Sequence, residues 1–171
     1  MSIFFDADGD ADLDLYVVSA GNEFPSTAKS IRDRLYIWEN KNYIKKDNLP
    51  DIGQHGSVVT SYDYDNDGDN DIAVSTGNPG EPQVEGEGGE GYLYVFERDG
   101  SAFTQAYKSS NIDAALGITI AELDGSTYPE IGLATGYLEV IDPTAGTSEL
   151  HGNVRVYGYS GSSYSSEWNS N

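Results

Sequence analysis

The most unusual stretch of this sequence lies between residues 63 and 71, where aspartate occupies every second position. It reads Asp63-Tyr-Asp65-Asn-Asp67-Gly-Asp69-Asn-Asp71, and an apolar run follows directly. Carboxylates this close together repel one another unless a cation lies among them. Oxygen ligands at this density suit a hard divalent cation, and Ca²⁺ fits best. The stretch therefore predicts a calcium-binding loop.

The same pattern occurs three times along the chain. The acidic loops begin at Asp6, Asp63 and Glu122, so their spacings are 57 and 59 residues. Two further markers repeat with them. The aromatic run 35–39 matches 93–97, with 154–157 in the third place, and an Asn or Gly-Ser segment precedes an aromatic residue near 43, 103 and 164. Three markers at one period indicate an internal repeat.

Each repeat predicts four short strands, and helical periodicity is nearly absent. Strand one enters the acidic loop (2–5, 58–62, 118–121), and strand two leaves it (15–19, 72–76, 131–135). Strand three is the aromatic run (34–39, 92–97, 153–158), and strand four is short and polar (43–46, 103–107, 164–168). We expect variable loops between strands two and three (21–33, 77–91, 136–152), with at most one turn of helix at 28–34.

Four strands and almost 60 residues per repeat describe a β-propeller blade. We therefore predict an all-β protein of three four-stranded antiparallel blades, covering residues 1–50, 51–110 and 111–171. Closed propellers have roughly four to eight blades. Three blades would leave the outer faces of the first and third blades bare. Further blades, a ring of two copies or head-to-tail stacking into a fibre would cover them.

An EF-hand is the first alternative for the acidic loops. Its loop needs a bidentate Glu at position 12 and a helix on each side. Position 12 here holds Val17, Val74 and Leu133, and the predicted flanks are strands. The acid recurs instead at position 9, as Asp14, Asp71 and Glu130. The spacing excludes an EF-hand.

The loops Asp6-Ala-Asp8-Gly-Asp10-Ala-Asp12-Leu-Asp14 and Asp63 to Asp71 resemble the calcium loops of FG-GAP/VCBS-type repeats. That family includes the propeller heads of integrin α chains and many secreted bacterial propellers. The flanks are also similar. Gly56-Ser-Val58 and Leu116-Gly-Ile118 resemble the Phe-Gly start of the family motif, and 74–79 and 18–21 resemble its Gly-Ala-Pro end. The resemblance covers essentially the whole chain.

The resemblance implies side-chain calcium ligands at loop positions 1, 3, 5 and 9, with a carbonyl ligand at position 7. In the first two loops these are Asp6, Asp8, Asp10 and Asp14 with the Asp12 carbonyl, and Asp63, Asp65, Asp67 and Asp71 with the Asp69 carbonyl. The side chains of Asp12 and Asp69 are accordingly expected to be exposed and dispensable. Ala11 stands at position 6, where the family carries glycine. A left-handed backbone there would cost about 1 kcal/mol.

The third loop departs from this pattern. Its corresponding residues are Glu122, Asp124, Ser126 and Glu130, with the Tyr128 carbonyl at position 7. Three carboxylates remain instead of four. Because ligand charge tunes calcium affinity, we expect this loop to bind Ca²⁺ more weakly than the other two.

Composition and charge exclude several classes of function. The formal net charge is −20, which opposes nucleic-acid binding because phosphates would be repelled. The chain has no cysteine, so disulfides, thiol nucleophiles and zinc–thiolate sites are excluded. No apolar run approaches membrane-spanning length. The two histidines, His55 and His151, lie in different repeats and are expected to have surface or packing roles.

The resemblance implies a non-catalytic, calcium-stabilised segment at a cell surface or outside the cell. It would act in adhesion, ligand binding or scaffold and fibre assembly, and contact a protein or glycan through the loops between strands two and three. Two alternatives remain open. One is a lectin propeller, for which Tyr36 and Trp38 could be a sugar-stacking surface rather than packing residues. The other is a polysaccharide lyase fragment, which needs a base beside calcium, and the sequence shows no cluster of such bases.

Overall fold

The computed structural model describes residues 1–19, 32–50, 52, 56–77, 91–142 and 144–170. Within these ranges all regular secondary structure is β, in twelve strands. In chain order they are β1 Ser2–Phe5, β2 Asp14–Val17, β3 Arg34–Glu39, β4 Asn42–Lys46, β5 Gly56–Tyr62, β6 Asp71–Thr76, β7 Leu93–Asp99, β8 Ala102–Lys108, β9 Ala114–Ala121, β10 Glu130–Asp142, β11 Thr147–Tyr159 and β12 Tyr164–Asn169. The predicted all-β fold is confirmed.

The strands form three antiparallel sheets of four, and each sheet takes its strands in chain order. The first sheet is β1-β2-β3-β4, the second β5-β6-β7-β8 and the third β9-β10-β11-β12. In every sheet the acidic loop joins the first two strands. The first strands are neighbours, since β5 lies against both β1 and β9. No described element is a helix of the length and apolar character that a membrane crossing requires.

The prediction of a loop at residues 136–152 is wrong. β10 and β11 continue through this region as a long hairpin, in which Gly136 pairs with Gly152 and Asp142 with Thr147. Tyr137, one residue further along β10, stacks on His151 with ring centroids 4.9 Å apart. The glycines suggested a loop, but the β-prone residues between them extend the ladder. Residues 20–31 and 78–90, which contain most of the other two expected loops, lie outside the described residues, and so does most of the expected helical turn.

The repeat marker in strand three is displaced by two residues from the structural register. The sequence match places Leu35 with Leu93. The ladders pair Leu15 with Tyr36 and Ile72 with Phe96, so Tyr36 corresponds to Phe96 and Leu35 to Val95. A shift of two residues keeps every side chain on its own face of the sheet. The alternating pattern therefore predicted the strand correctly while misplacing its register.

The core lies between the sheets. We call the face that carries Leu15, Ile72 and Ile131 the front face of its sheet, and the opposite face the back face. The first core cluster joins the back of the first sheet, through residues such as Tyr16, to the front of the second. The second cluster joins the back of the second sheet to the front of the third, which contributes Leu133. β6 is buried along its whole length because both of its faces are covered.

Candidate metal-binding loops

The acidic loops occupy the same place in all three sheets. Each begins directly after the first strand, and its ninth-position acid is the first residue of the second strand. These acids, Asp14, Asp71 and Glu130, are 0%, 1% and 2% exposed. Buried carboxylates are costly unless donors or cations compensate them. These buried acids therefore form the inner side of each loop, where the loop meets its sheet.

The ninth-position acid connects three parts of its sheet. Asp14 accepts hydrogen bonds from the backbone N–H of Ala7 and of Trp38, both at 2.8 Å. Asp71 accepts equivalent bonds from Tyr64 at 3.1 Å and Arg98 at 3.0 Å. Each carboxylate thus links the loop to strand three. Sequence reasoning assigned these residues as ligands only, and the spacing gave no signal for their bond to strand three.

The first acid of each loop folds the turn around itself. Asp6 accepts hydrogen bonds from Gly9 N–H at 2.6 Å and Ala11 N–H at 3.0 Å. Asp63 accepts bonds from Asp67 and Gly68, both at 3.1 Å. In the third loop, the N–H of residue 125 donates to the first-position Glu at 2.7 Å. These hydrogen bonds close each loop without the help of a metal ion.

Three groups of carboxylates converge at these turns. Within each group, one oxygen from every member lies within 4.8 Å of the others. The groups are Asp6, Asp8 and Asp10 in the first loop, Asp63, Asp65 and Asp71 in the second, and Glu122, Asp124 and Glu130 in the third. The predicted ligands Asp14 and Asp67 are outside these groups, and Asp67 Oδ1 instead accepts a bond from Asp69 N–H at 3.0 Å.

The local electrostatics fit a cation. Asp8 Oδ1 is buried and has no hydrogen-bond partner. Burial raises the pKa of Asp8, and Asp10 and Asp14 raise it further. Burial likewise raises the pKa of Asp71 to about 7, against the hydrogen bonds from Arg98 and Tyr64 that lower it. A divalent ion among these oxygens would reverse both effects, because it stabilises the charged carboxylates. The donor set is all oxygen, as Ca²⁺ prefers.

The prediction that the seventh-position side chains are exposed is wrong. Asp69 is mostly buried and forms an ion pair with Arg98, Oδ2 to Nη2 at 3.0 Å. Asp12 is half-buried, and its Oδ1 is shielded from solvent. The reason is that Arg98 lies on β7 directly beside the second loop, which the register of strand three determines. A backbone carbonyl ligand at this position does not require an exposed side chain.

Left-handed backbone recurs at fixed loop positions. The expectation for position 6 is confirmed in the first loop, because Ala11 has φ 71°, and Gly68 has φ 101° at the same place in the second loop. Position 4 is left-handed in all three loops, at Gly9, Asn66 and Gly125, with φ 83°, 61° and 79°. Glycine and asparagine are the residues that adopt this conformation most readily. The presence of Gly, Asn and Gly at position 4 was the sequence signal for this left-handed turn, and sequence reasoning missed it.

The third loop satisfies some of its own ligand atoms. Ser126 Oγ donates to the Tyr128 carbonyl at 2.7 Å, which occupies the predicted carbonyl ligand. Ser126 N–H in turn donates to Asp124 at 2.7 Å. Glu130 accepts a bond from the N–H of Leu123 at 2.6 Å, as its counterparts do. This internal bonding gives a physical reason to expect weaker binding here.

Neighbouring loops also contact one another across the sheets. Arg98 pairs with Asp69 of the second loop and lies so close to Gly9 of the first that a Cβ at Gly9 would be 2.9 Å from Nη1. Asn66 Nδ2 of the second loop donates to the Thr127 carbonyl of the third at 2.6 Å. The three loops therefore form one connected series along the edge of the stacked sheets.

The second loop is also bordered by residues of the third sheet. Tyr164 is 7% exposed, and its hydroxyl is buried without a hydrogen-bond partner. Burial raises the pKa of Tyr164, and Asp71, Glu97 and Asp65 add to the shift. The corresponding residue of the second sheet is Phe103, which has no hydroxyl. The phenol of Tyr164 thus faces the carboxylates of its neighbour.

A scan against protein-family models matches no family, and a search of curated proteins finds no match. His55, one of the two histidines considered above, lies outside the described residues.

Proposed function

We propose that this chain is a calcium-stabilised, non-catalytic β-propeller segment of FG-GAP/VCBS type. The observation that carries this proposal is the convergence of three carboxylates at the same turn of three successive sheets. A single acidic turn is common on protein surfaces. Three turns in phase, each with a buried acid at position 9, indicate a repeated structural requirement.

The packing of the sheets supports the propeller assignment. Each sheet places its back face on the front face of the next, and the shared cores lie between them. The first strands β1, β5 and β9 are adjacent to one another, as expected of strands that line a common axis. We propose that further blades, or a second copy of the chain, complete this arrangement.

Calcium would neutralise the loops and fix the turn between the first two strands. The ligands would be the side chains at positions 1, 3, 5 and 9 with the carbonyl at position 7, and the third site, with Ser126 at position 5, would be the weakest. Extracellular modules bind Ca²⁺ with Kd of about 10⁻⁴–10⁻³ M. Such sites fill only where calcium is abundant, and we therefore propose a location outside the cell or at its surface.

The proposed role is adhesion, ligand binding or scaffold assembly with a protein or glycan partner. The contact would use the segments between strands two and three. Of these, the structure describes the hairpin of β10 and β11, which projects beyond the length of the other described strands. A projecting hairpin has groups that do not take part in packing between the sheets and are therefore available to contact a partner.

A lectin is the second candidate, and one observation favours it. Trp38 and Tyr43 have ring centroids 4.7 Å apart, and Phe4 lies beside Tyr43 at 6.4 Å. These rings form a partly exposed aromatic surface on the first sheet, of the kind on which sugars stack. A glycan array would separate the two functions, because a structural segment would bind no sugar there.

The deciding experiment is thermal unfolding with saturating Ca²⁺ and with chelator. A site filled to about ten times its Kd adds ~1.4 kcal/mol, which raises Tm by roughly 3–6 °C for a domain of this size. Asp63→Asn should remove the contribution of the second loop. Asp99→Asn is the matched control, because Asp99 is an exposed acid at the end of β7. Equal melting temperatures with calcium and with chelator would refute the proposal.

A further inference from the structure

The stack of three sheets ends in two outer faces. The front of the first sheet and the back of the third have no sheet against them among the described residues. On the front, Phe4 is 58% exposed and Tyr43 is 42% exposed. On the back, Val154 and Trp168 are 48% and 54% exposed. All four of these exposed side chains are apolar.

The register equates the front of the first sheet with the two front faces that are buried inside the stack. Tyr36 corresponds to Phe96 and Tyr157, and Tyr43 corresponds to Phe103 and Tyr164. Those counterparts are between 1% and 7% exposed, each packed against the back of the preceding sheet. The surface on the first sheet therefore has the same construction as two surfaces that are covered by a back face.

The back of the third sheet has the space that this front face needs. Ala121 stands where the first and second sheets carry Phe5 and Tyr62, just before the acidic loop. Gly132 stands where the first sheet carries Tyr16. Where these small residues stand, the back is shallow and leaves room for bulky side chains of the front, such as Trp38, to pack closely.

The contacts between loop and sheet would repeat as well. At the first interface, Arg98 of the second sheet reaches Gly9 of the preceding acidic loop. At the second interface, the corresponding Tyr159 packs against the core cluster that includes Tyr64 of the second loop. Trp38 occupies this place in the first sheet, and among the described residues no following sheet contacts the third loop.

We propose that the front face of the first sheet binds the back face of the third sheet of a second copy of this chain. The interface is heterologous and continues the existing front-to-back packing, with Trp38 against the third acidic loop of the partner copy. The inference deepens the proposed assembly, and it rests on the stacking of the sheets rather than on metal binding.

Two single variants and their mixture test the proposal. Phe4→Lys blocks the front, and Val154→Lys blocks the back. Both residues are exposed, so neither change disturbs a core. Ile44→Lys is the matched control, because Ile44 is 42% exposed on β4, on the opposite face of the first sheet from Phe4, and receives the same charge change. Mass is measured by analytical ultracentrifugation over a wide range of protein concentration, with calcium present.

We expect the wild type and the control to associate, and each blocked variant alone to remain a monomer. An equimolar mixture of the two variants should regain a species of twice the monomer mass, because each supplies the face that the other lacks. A monomeric wild type at every concentration would overturn the inference. Association of Val154→Lys alone would overturn it too, since that result requires a front-to-front interface. Calcium-dependent melting, measured separately, reports on the metal sites and not on this interface.

Discussion

At the scale of single residues, the acidic loops depend on backbone conformations that their sequence does not always favour. Ala11 is the clearest case, because it has φ 71° where the second loop has Gly68. An L-residue in this region costs roughly 1–2 kcal/mol. Glycine there has no such cost but loses more entropy on folding, by about 0.5–1 kcal/mol.

We predict that Ala11→Gly raises the free energy of unfolding by about 0.5–1 kcal/mol, since relief of strain exceeds the entropy loss. Ala121→Gly is the control, because Ala121 is exposed at the end of β9 and is not among the residues with positive φ. The control should lose stability by a similar amount. Urea unfolding measures both. A loss in Ala11→Gly as large as in the control would show that the left-handed alanine is not strained.

Asp33 gives a second prediction at this scale, away from the acidic loops. Its carboxylate accepts hydrogen bonds from Tyr16 Oη at 2.8 Å and from Ser19 N–H at 2.9 Å. Burial raises the pKa of Asp33 above its ordinary 3.8, despite these bonds. A carboxyl with a raised pKa contributes stability that is fully present below pH 3.8 and is lost as pH rises through the folded-state pKa.

We therefore expect the wild type to lose stability relative to Asp33→Asn as pH rises from below 3.8 through the raised pKa. The difference in unfolding free energy between the two proteins, measured against pH in chelator, checks this. Asp47→Asn is the comparison, because the Asp47 side chain is 90% exposed. A difference between wild type and Asp33→Asn that grows in favour of the wild type with rising pH would contradict the assigned direction.

At the scale of strands and loops, much of the fold could be predicted from sequence because pattern and period agree. β1 and β3 have the predicted bounds, and ten other strands lie where one was expected. The hairpin beyond Gly136 was missed because glycine marks a loop in one context and close backbone packing in another. A Cβ at Gly136 would lie 2.8 Å from the His151 carbonyl, which explains this glycine without a loop.

The candidate site was predictable in position and less so in detail. The spacing of acids located the three loops and their converging carboxylates. It could not show that Asp69 faces Arg98, because that contact depends on the register of strand three. The sequence match paired Leu35 with Leu93 instead of Val95, a displacement of two residues that hid the counterpart of Arg98. Contacts between elements follow from register, and an alternating pattern does not distinguish registers that differ by two residues.

The ion pair between Arg98 and Asp69 should contribute measurably to the free energy of unfolding. Their side chains are only 11% and 20% exposed, so solvent screens the pair weakly. A double-mutant cycle with Arg98→Met and Asp69→Asn should give a coupling of about 1–2 kcal/mol in unfolding free energy. The pair Lys45–Asp47 is the control, with side chains 50% and 90% exposed, and its coupling should be close to zero. Equal couplings would show that the loop contact contributes no more than a surface ion pair.

At the scale of the whole molecule, the sheets depend on one another. Each apolar face is buried only by the neighbouring sheet, so the second sheet, covered on both sides, has its strand β6 entirely buried. The corresponding strand β2 is buried at alternate residues only. The repeat predicted this difference, because an end unit lacks one neighbour. The partner that covers the two end faces is determined by the shape and chemistry of those faces. A periodic sequence pattern does not specify either property.

The large net negative charge of the chain should make its stability depend on salt concentration. The chain carries a formal charge of −20, and self-repulsion destabilises the compact state. In chelator, raising salt from about 0.01 M to about 0.15 M shortens the Debye length from roughly 30 Å to roughly 8 Å, so Tm should rise. Three bound Ca²⁺ would change the formal charge by 3 × 2, from −20 to −14, and act where the carboxylates are closest. The rise in Tm with salt should therefore be smaller in calcium. An equal rise in both conditions would indicate that the ions do not bind among the loop carboxylates.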